Sequence, residues 1–277
     1  MRPIKDHKED FPMKKLLAVC MVLAMLFTVT GALATAPANR LEKVMADGKL
    51  IVATSPDYAP YEFLDKDGNI VGADLELAKF IAAELGVELE MQAMDFDTVL
   101  ASITTGKVDL ALAGLTLTEE RKESMDFTDS YYNDGSQVIL ILKKNAETFK
   151  TLADFKGKTV AGQNGTLQFQ LATEQLPESK IEPIAKIPDA VLMLKTNKVN
   201  GVALADVVAN QYIANDPDLA ICETPFDHVA EGVVGAVVKG ETELVDAVNA
   251  AIKKVLDEGM YDKWINDANE LNNTLTQ

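Results

Sequence analysis

Apolar and polar positions along this chain alternate between a three-to-four-residue period and short apolar runs, and the switches mark out its elements. Residues 74–85 place Leu75, Ala78, Ile81, Ala82 and Leu85 on one helical face, with Gly86 as the stop. Residues 87–94 read as a strand and 97–105 as a helix ended by Gly106. Residues 110–113 form a short all-apolar strand of the kind covered on both faces. Further strands are expected at 137–142, 158–161, 184–187, 201–204 and 233–238, with helices at 151–156, 166–175, 188–196 and 206–215. Residues 241–265 read as two amphipathic helices. This alternation predicts a parallel α/β architecture, and no 20–50-residue repeat or low-complexity tract interrupts it.

The richest stretch runs from Thr105 through Gly-Lys-Val-Asp-Leu-Ala-Leu-Ala-Gly-Leu-Thr-Leu-Thr-Glu-Glu to Arg121, followed by Met125-Asp-Phe-Thr-Asp-Ser-Tyr-Tyr132. Thr118 suits the cap of a new helix, with Glu119 and Glu120 near its positive end. Thr116 and Arg121 are thereby expected together beyond the carboxyl end of a strand, where open α/β sheets bind ligands. A guanidinium is a planar fork of donors that fits a carboxylate bidentately and stays charged. Pairing with Glu119, Glu120 or Asp126 would instead make Arg121 a solvated surface residue, and the pattern alone leaves both readings open.

Three other places invite the same double reading. Gly162-Gln-Asn-Gly-Thr166 is either a plain strand-to-helix turn or an anion site at a helix amino terminus; it lacks the lysine of a phosphate-binding loop. Asp206, after the apolar Val202-Ala-Leu-Ala205, is either a helix cap or a ligand carboxylate. Tyr58 and Phe96 are either packing residues or aromatic walls of a site.

Taken in order, these blocks resemble the family 3 solute-binding proteins, the periplasmic polar amino-acid receptors of ABC importers. Two further blocks carry the resemblance: Leu50-Ile-Val-Ala-Thr-Ser-Pro-Asp-Tyr-Ala-Pro-Tyr-Glu-Phe63 and Gly72-Ala-Asp-Leu-Glu-Leu77, the latter with Ala73 where a larger apolar residue is usual. The similarity runs from about residue 41 to 264. It implies a two-lobed, hinge-linked α/β fold of the periplasmic-binding-protein type, with the ligand in the inter-lobe cleft. Lobe 1 would comprise residues 39–132 plus 233–277 and lobe 2 residues 133–232, with Gly135 and Gly232 as candidate hinge glycines.

The resemblance also implies site roles. Arg121 and Thr116 would take the ligand carboxylate, together with Thr166 and the backbone N–H of Leu167 in the turn opened by Asn164. The family often has a hydroxyl residue where Leu167 stands. Asp206 and the carbonyl near Gly114 would take the ammonium, and Tyr58 and Phe96 would flank the side chain. Ser55 stands where basic- and glutamine-binding relatives often carry Asp; Asp57, Glu62 or Asn164 could compensate. The implied ligand is a polar neutral or basic L-amino acid.

Composition narrows the picture. The 277 residues allow one large or two modest domains, and 48% hydrophobic content suffices for a packed core. A net charge of -17 argues against nucleic acid and acidic membrane surfaces as partners. Residues 1–34 read as a secretory signal, with lysines at 14 and 15, an apolar run from Leu16 to Val29 and a small-residue cleavage site ending at Ala34; Met13 is a candidate true start. Leu17-Ala-Val-Cys20 only faintly matches a lipoprotein box. Cleavage would leave Cys222 as the sole cysteine, read as a buried small hydrophobe rather than a nucleophile. His7 and His228 are too isolated for zinc. The expectation is a periplasmic, monomeric, non-catalytic receptor without metal or cofactor, with a free amino acid and an inner-membrane ABC permease as partners. The alternative is an enzyme on the same fold, resembling the periplasmic cyclohexadienyl dehydratases.

Overall fold

The computed structural model describes residues 37–275. The expected signal segment, with Met13, Cys20 and Ala34, lies outside the described residues.

The chain begins with α1 (Arg40–Asp47), β1 (Lys49–Thr54), a small hairpin of β2 (Phe63–Leu64) and β3 (Ile70–Val71), α2 (Ala73–Leu85) and β4 (Glu88–Ala93). It continues through α3 (Phe96–Thr104), β5 (Leu110–Ala111), α4 (Glu119–Lys122) and β6 (Met125–Phe127). A second set follows: β7 (Gln137–Leu142), β8 (Thr159–Gln163), α5 (Leu167–Gln175), β9 (Lys180–Ile184), α6 (Ile187–Lys195), β10 (Gly201–Ala205), α7 (Asp206–Asn215) and β11 (Leu219–Ile221). β12 (Ala236–Val238), α8 (Thr242–Asp257) and α9 (Met260–Leu275) close the chain.

The strands form two five-stranded sheets, ordered β4-β1-β5-β12-β6 and β11-β7-β10-β8-β9, each with its own helices. Both sheets are mixed rather than parallel as expected. β1 runs parallel to β4 and β5, but β12 is antiparallel to β5 and β6. In the second sheet β8 is parallel to β9 and β10, whereas β7 is antiparallel to β10 and β11. In each sheet the reversed strand is the one that arrives from the other lobe. Strand–helix alternation dictates direction only for strands joined by a helical crossover within one sheet, so it could not show this.

Local chemistry explains most element ends. Asn39 caps α1 by accepting from the Glu42 N–H at 2.8 Å, and Gly86, at φ 67°, closes α2. The expected strand at 184–187 is displaced to Lys180–Ile184, where it takes in Pro183. β9 is an edge strand, so the missing proline N–H costs no ladder bond. Residues 151–156 form a 3₁₀ turn over Leu152–Phe155 rather than an α-helix. The two- and three-residue strands β2, β3, β6 and β11 are too short to carry a readable period.

Central strands are fully buried, with Leu50, Val52, Leu110, Val202 and Leu204 all at 0% exposure. Truncating any of these to alanine costs about 2–5 kcal/mol. Two segments cross between the sheets and touch at the Tyr132–Val233 bridge. Gly135 and Gly232 lie on them at φ 72° and 84°. At Gly232 a Cβ would fall 2.1 Å from Ser130 Oγ and 2.7 Å from the Tyr132 carbonyl, so no larger residue fits without rearrangement. The loops after β1, β5 and β8 meet one another, with the end of β10 against Tyr58, and the candidate site lies among them.

Candidate ligand-binding cleft

A small cavity lies where these loops meet. The first lobe lines it with Ser55, Asp57, Tyr58, Glu62, Phe96, Gly114, Thr116 and Arg121, and the second with Gln163, Thr166, Leu167 and Gln168.

Arg121 sits in the four-residue α4, whose start Thr118 caps by accepting the Arg121 N–H at 3.2 Å. Its side chain is buried, not solvated. Glu119 pairs with Lys122 and Asp126 with Lys239, so neither neutralises it. The guanidinium donates from Nη1 to the Thr116 carbonyl and from Nη2 to the Gly165 carbonyl at 2.9 Å, and Cζ lies 5.5 Å from the Phe96 ring centroid. Burial pushes its pKa down to about 10, which still leaves a full positive charge at neutral pH. Two carbonyls cannot use all five donors, so the fork retains capacity for an anion.

Gly114 follows β5 at φ 53° and donates its N–H to Asp74 at 2.9 Å. A Cβ there would lie 2.8 Å from Tyr58 Cδ1, so glycine allows the ring to close over the backbone. The Tyr58 hydroxyl accepts from the Ala205 N–H at 3.3 Å and from Gln168 Nε2 at 3.4 Å, tying the lobes together. Ser55 donates to Asp57 at 2.9 Å. The other Asp57 oxygen accepts from Gln163 Nε2 at 3.0 Å and from the Ile187 N–H at 2.9 Å. Burial pushes the Asp57 carboxyl upward against these hydrogen bonds. Thr166 Oγ1 donates to the Gln163 carbonyl at 2.7 Å and accepts from the Phe169 N–H at 3.1 Å. Its hydroxyl thus starts α5, whose first-turn N–H groups point out of the helix end beside Leu167.

Eight expected site residues therefore line one cavity: Ser55, Tyr58, Phe96, Gly114, Thr116, Arg121, Thr166 and Leu167. Asn164 and Asp206 are not among its lining residues. Asn164 lies on the exposed rim and donates from Nδ2 to Asp97 at 3.2 Å across the cleft. Asp206 is half-buried at the first position of α7, accepts from the Asn210 side-chain amide and packs against Gly135. The residue before α7 is Ala205, with no side-chain cap, so the capping role weighed for Asp206 is not what it performs here.

Glu62 matters more than the sequence suggested. It is 1% exposed, lines the cavity, and neither carboxyl oxygen has a hydrogen-bond partner. Burial first, and then the neighbouring carboxyls of Asp74 and Asp57, hold its pKa well above the ordinary glutamate value. The sequence offered Glu62 only as one substitute for the acid absent at position 55. Asp74 escaped notice, because an aspartate opening a helix is ordinary. It is in fact fully buried, accepting from the Gly114 N–H, from the Tyr131 hydroxyl at 3.0 Å and from the Tyr261 hydroxyl at 2.6 Å.

The cavity thus pairs an anion receptor at Arg121 with an unsatisfied carboxyl at Glu62, between the Tyr58 and Phe96 rings. Such an arrangement can hold a zwitterion with a polar side chain. Cys222 is buried in the second lobe's core with Phe149 and Phe155, away from the lining. Among the described residues no three His, Cys, Asp or Glu side chains are grouped to hold a metal ion.

Comparisons with known proteins show the family and the fold. Residues 50–267 match the model of the bacterial extracellular solute-binding proteins, family 3. The arginine-binding extracellular protein ArtP of Bacillus subtilis is 34% identical over 253 residues, 91% of this chain and 96% of ArtP. Among solved structures, the amino acid ABC transporter substrate-binding protein AbpA of Streptococcus pneumoniae, bound to L-arginine, superimposes with a TM-score of 0.80. It shares 38% identity, over 83% of this chain and 98% of that one. The ancestral amino acid-binding protein AncCDT-1, a precursor of cyclohexadienyl dehydratase, gives a TM-score of 0.74 at 33% identity, over 87% and 100% of the two chains.

Proposed function

This chain belongs to the bacterial extracellular solute-binding proteins of family 3, and from that premise we propose that its ligand is a cationic L-amino acid, with L-arginine the first candidate. The observation that carries the choice is Glu62, a buried carboxyl lining the cavity that meets no donor of this chain and has another carboxyl, Asp74, beside it. A buried polar group without a partner is costly, and a guanidinium or ammonium supplied by the ligand would remove that cost. ArtP and AbpA, whose names and bound ligand specify arginine, support the same choice.

The ligand carboxylate is assigned to Arg121, Thr116, Thr166 and the Leu167 N–H. Asp206 and the Gly114 carbonyl are assigned to the α-ammonium. Asp206 directly follows Ala205, whose N–H binds Tyr58 in the cavity wall. Tyr58 and Phe96 cover the aliphatic stem, and Glu62 with Ser55 takes the far cation. Charge-assisted hydrogen bonds are each worth roughly 1.5–3 kcal/mol, so several of them cover the ~8 kcal/mol of a micromolar complex after ordering costs.

Ligand binding is coupled to closure of the two lobes, and the closed form is the one presented to an ABC permease. The bonds from Asp57, Tyr58 and Arg121 to the second lobe are the contacts that would hold that form. We further assign the protein to the periplasm as a monomer, with its export signal removed near Ala34.

A thermal-shift screen tests the ligand. L-Arginine at 100 times its dissociation constant is expected to stabilise the fold by ~2.7 kcal/mol, with L-glutamate silent. A response to prephenate in place of any amino acid, accompanied by turnover, would replace the receptor reading with the dehydratase one.

A further inference from the structure

We propose that Glu62 and Asp74 hold one proton between them until a cationic side chain reaches Glu62, and that its arrival expels this proton to solvent. The inference rests on the cationic ligand proposed above, and it makes Asp74, which does not line the cavity, a residue that sets specificity.

The two carboxyls are unequal neighbours. Asp74, in the first turn of α2, is held by three donors from distant parts of the chain: the Gly114 N–H, the Tyr131 hydroxyl and the Tyr261 hydroxyl. Burial pushes the Asp74 carboxyl upward, but these donors pull it back down, which leaves it the easier of the two to ionise. Glu62 has none of them, and the polar group it faces is Asp74 itself. Two anionic carboxyls sharing a buried site cannot both ionise at ordinary cost, and neither can donate to the other without a proton. The proton therefore belongs on Glu62, whose O–H then donates to Asp74.

The surroundings offer no other compensation. From its own loop Glu62 meets the charges of Asp57 and Tyr58, from α2 that of Asp74, and from the crossing segment that of Tyr131; Tyr61 and, from α9, Tyr261 stand beside Asp74, and Asp134 beside Tyr61. Burial holds all four phenols above their ordinary range, so they stay neutral and add no positive charge. Arg121 is the one cation among the lining residues, and its fork is directed to the Thr116 and Gly165 carbonyls.

A guanidinium entering beside Glu62 changes this balance. The Glu62 O–H bond breaks, its electron pair stays on the carboxylate, and the proton leaves to solvent as the ligand cation takes its place. The charge beside Asp74 is then the same before and after binding. A neutral side chain of similar shape binds protonated Glu62 without displacing anything. Acidification should consequently weaken the cation alone.

Titration calorimetry of L-arginine into the full chain near pH 7, in two buffers of different ionisation enthalpy, counts the protons. About one proton released per arginine is expected. The dissociation constant should rise about tenfold for each pH step of one below the Glu62 midpoint. L-Citrulline, the neutral isostere, is expected to release none, and Glu62→Gln to abolish release by arginine. Tight arginine binding with no proton released and a flat pH profile would overturn the exchange while leaving the arginine assignment standing. Failure of arginine to bind at all would remove that assignment and the exchange with it. Release that persists in Glu62→Gln would place the proton elsewhere and overturn the proposal. The wild-type pH profile and the citrulline comparison decide the matter even if a variant does not fold.

Discussion

Arg121 and Glu62 line the same cavity, are almost equally buried, and live under opposite conditions. Arg121 meets two backbone carbonyls and an aromatic face, so burial lowers its pKa only to about 10 and the charge survives. Glu62 meets another carboxyl and no donor, so burial and repulsion act together to raise its pKa well above the ordinary glutamate value. Burial alone therefore does not set a group's charge; its partners do. One end of the cavity carries a permanent positive charge, and the other a carboxyl whose ionisation, on the proposal above, waits for a cation.

The comparison breaks most severely at its permanent end. Arg121→Ala should raise the dissociation constant for L-arginine by about 30-fold or more, a loss of at least ~2 kcal/mol, because the ligand carboxylate is left buried and unpaired. Calorimetry giving an unchanged affinity would remove Arg121 from the site. At the conditional end, Glu62→Gln should weaken arginine by about 1.5 kcal/mol while leaving L-citrulline nearly as before, so that discrimination between the two collapses. Equal losses for both ligands would show that Glu62 shapes the cavity rather than reading charge.

Stability sharpens the contrast with the sign reversed. Because the folded protein holds the Glu62 proton more tightly than the unfolded chain, it binds more protons, and ligand-free stability should fall as pH rises from about 4.5 toward the raised folded value. Each tenfold difference in proton affinity is worth about 1.4 kcal/mol. Glu62→Gln, unable to ionise, should melt higher than wild type at pH 8 and lose most of that advantage at pH 4. A variant that melts lower at pH 8 would contradict this. The smallest effect is expected outside the cavity. Asn164→Ala removes an exposed side-chain bond to Asp97 and should change arginine affinity by no more than ~0.5 kcal/mol. A larger loss in calorimetry would bring Asn164 back to the ligand.

The legible part of the site was local in sequence. Arg121, Thr116, Gly114, Thr166 and Leu167 each follow the end of a strand within a few residues, and Tyr58 and Ser55 lie in the loop after β1. Strand ends and caps have short-range signatures, so the pattern itself brought Thr116 and Arg121 to one place, and the family resemblance added the others. Asp74 was not legible for the opposite reason. Its partners lie 40, 57 and 187 residues away, and nothing local distinguishes it from a solvent-facing aspartate that favours a helix start. The displaced β9 and the two reversed strands were hidden in the same way. Pro183 is tolerable only because β9 lies at an edge, and the directions of β7 and β12 depend on where the chain enters each sheet.

By itself, the sequence determined most helix and strand positions and the α/β class, through periodicity, caps and strand-end loops, and through its ordered motifs the resemblance to a family that implies two lobes and a cleft lined by Arg121 and Thr116. Only the tertiary structure decided that Glu62 faces the cavity unpartnered beside an Asp74 held by Gly114, Tyr131 and Tyr261, that Asn164 lies on the rim, and that both sheets are mixed. Charge state and strand direction depend on which distant segments come within a hydrogen-bond length, and that proximity exists only once the chain has folded.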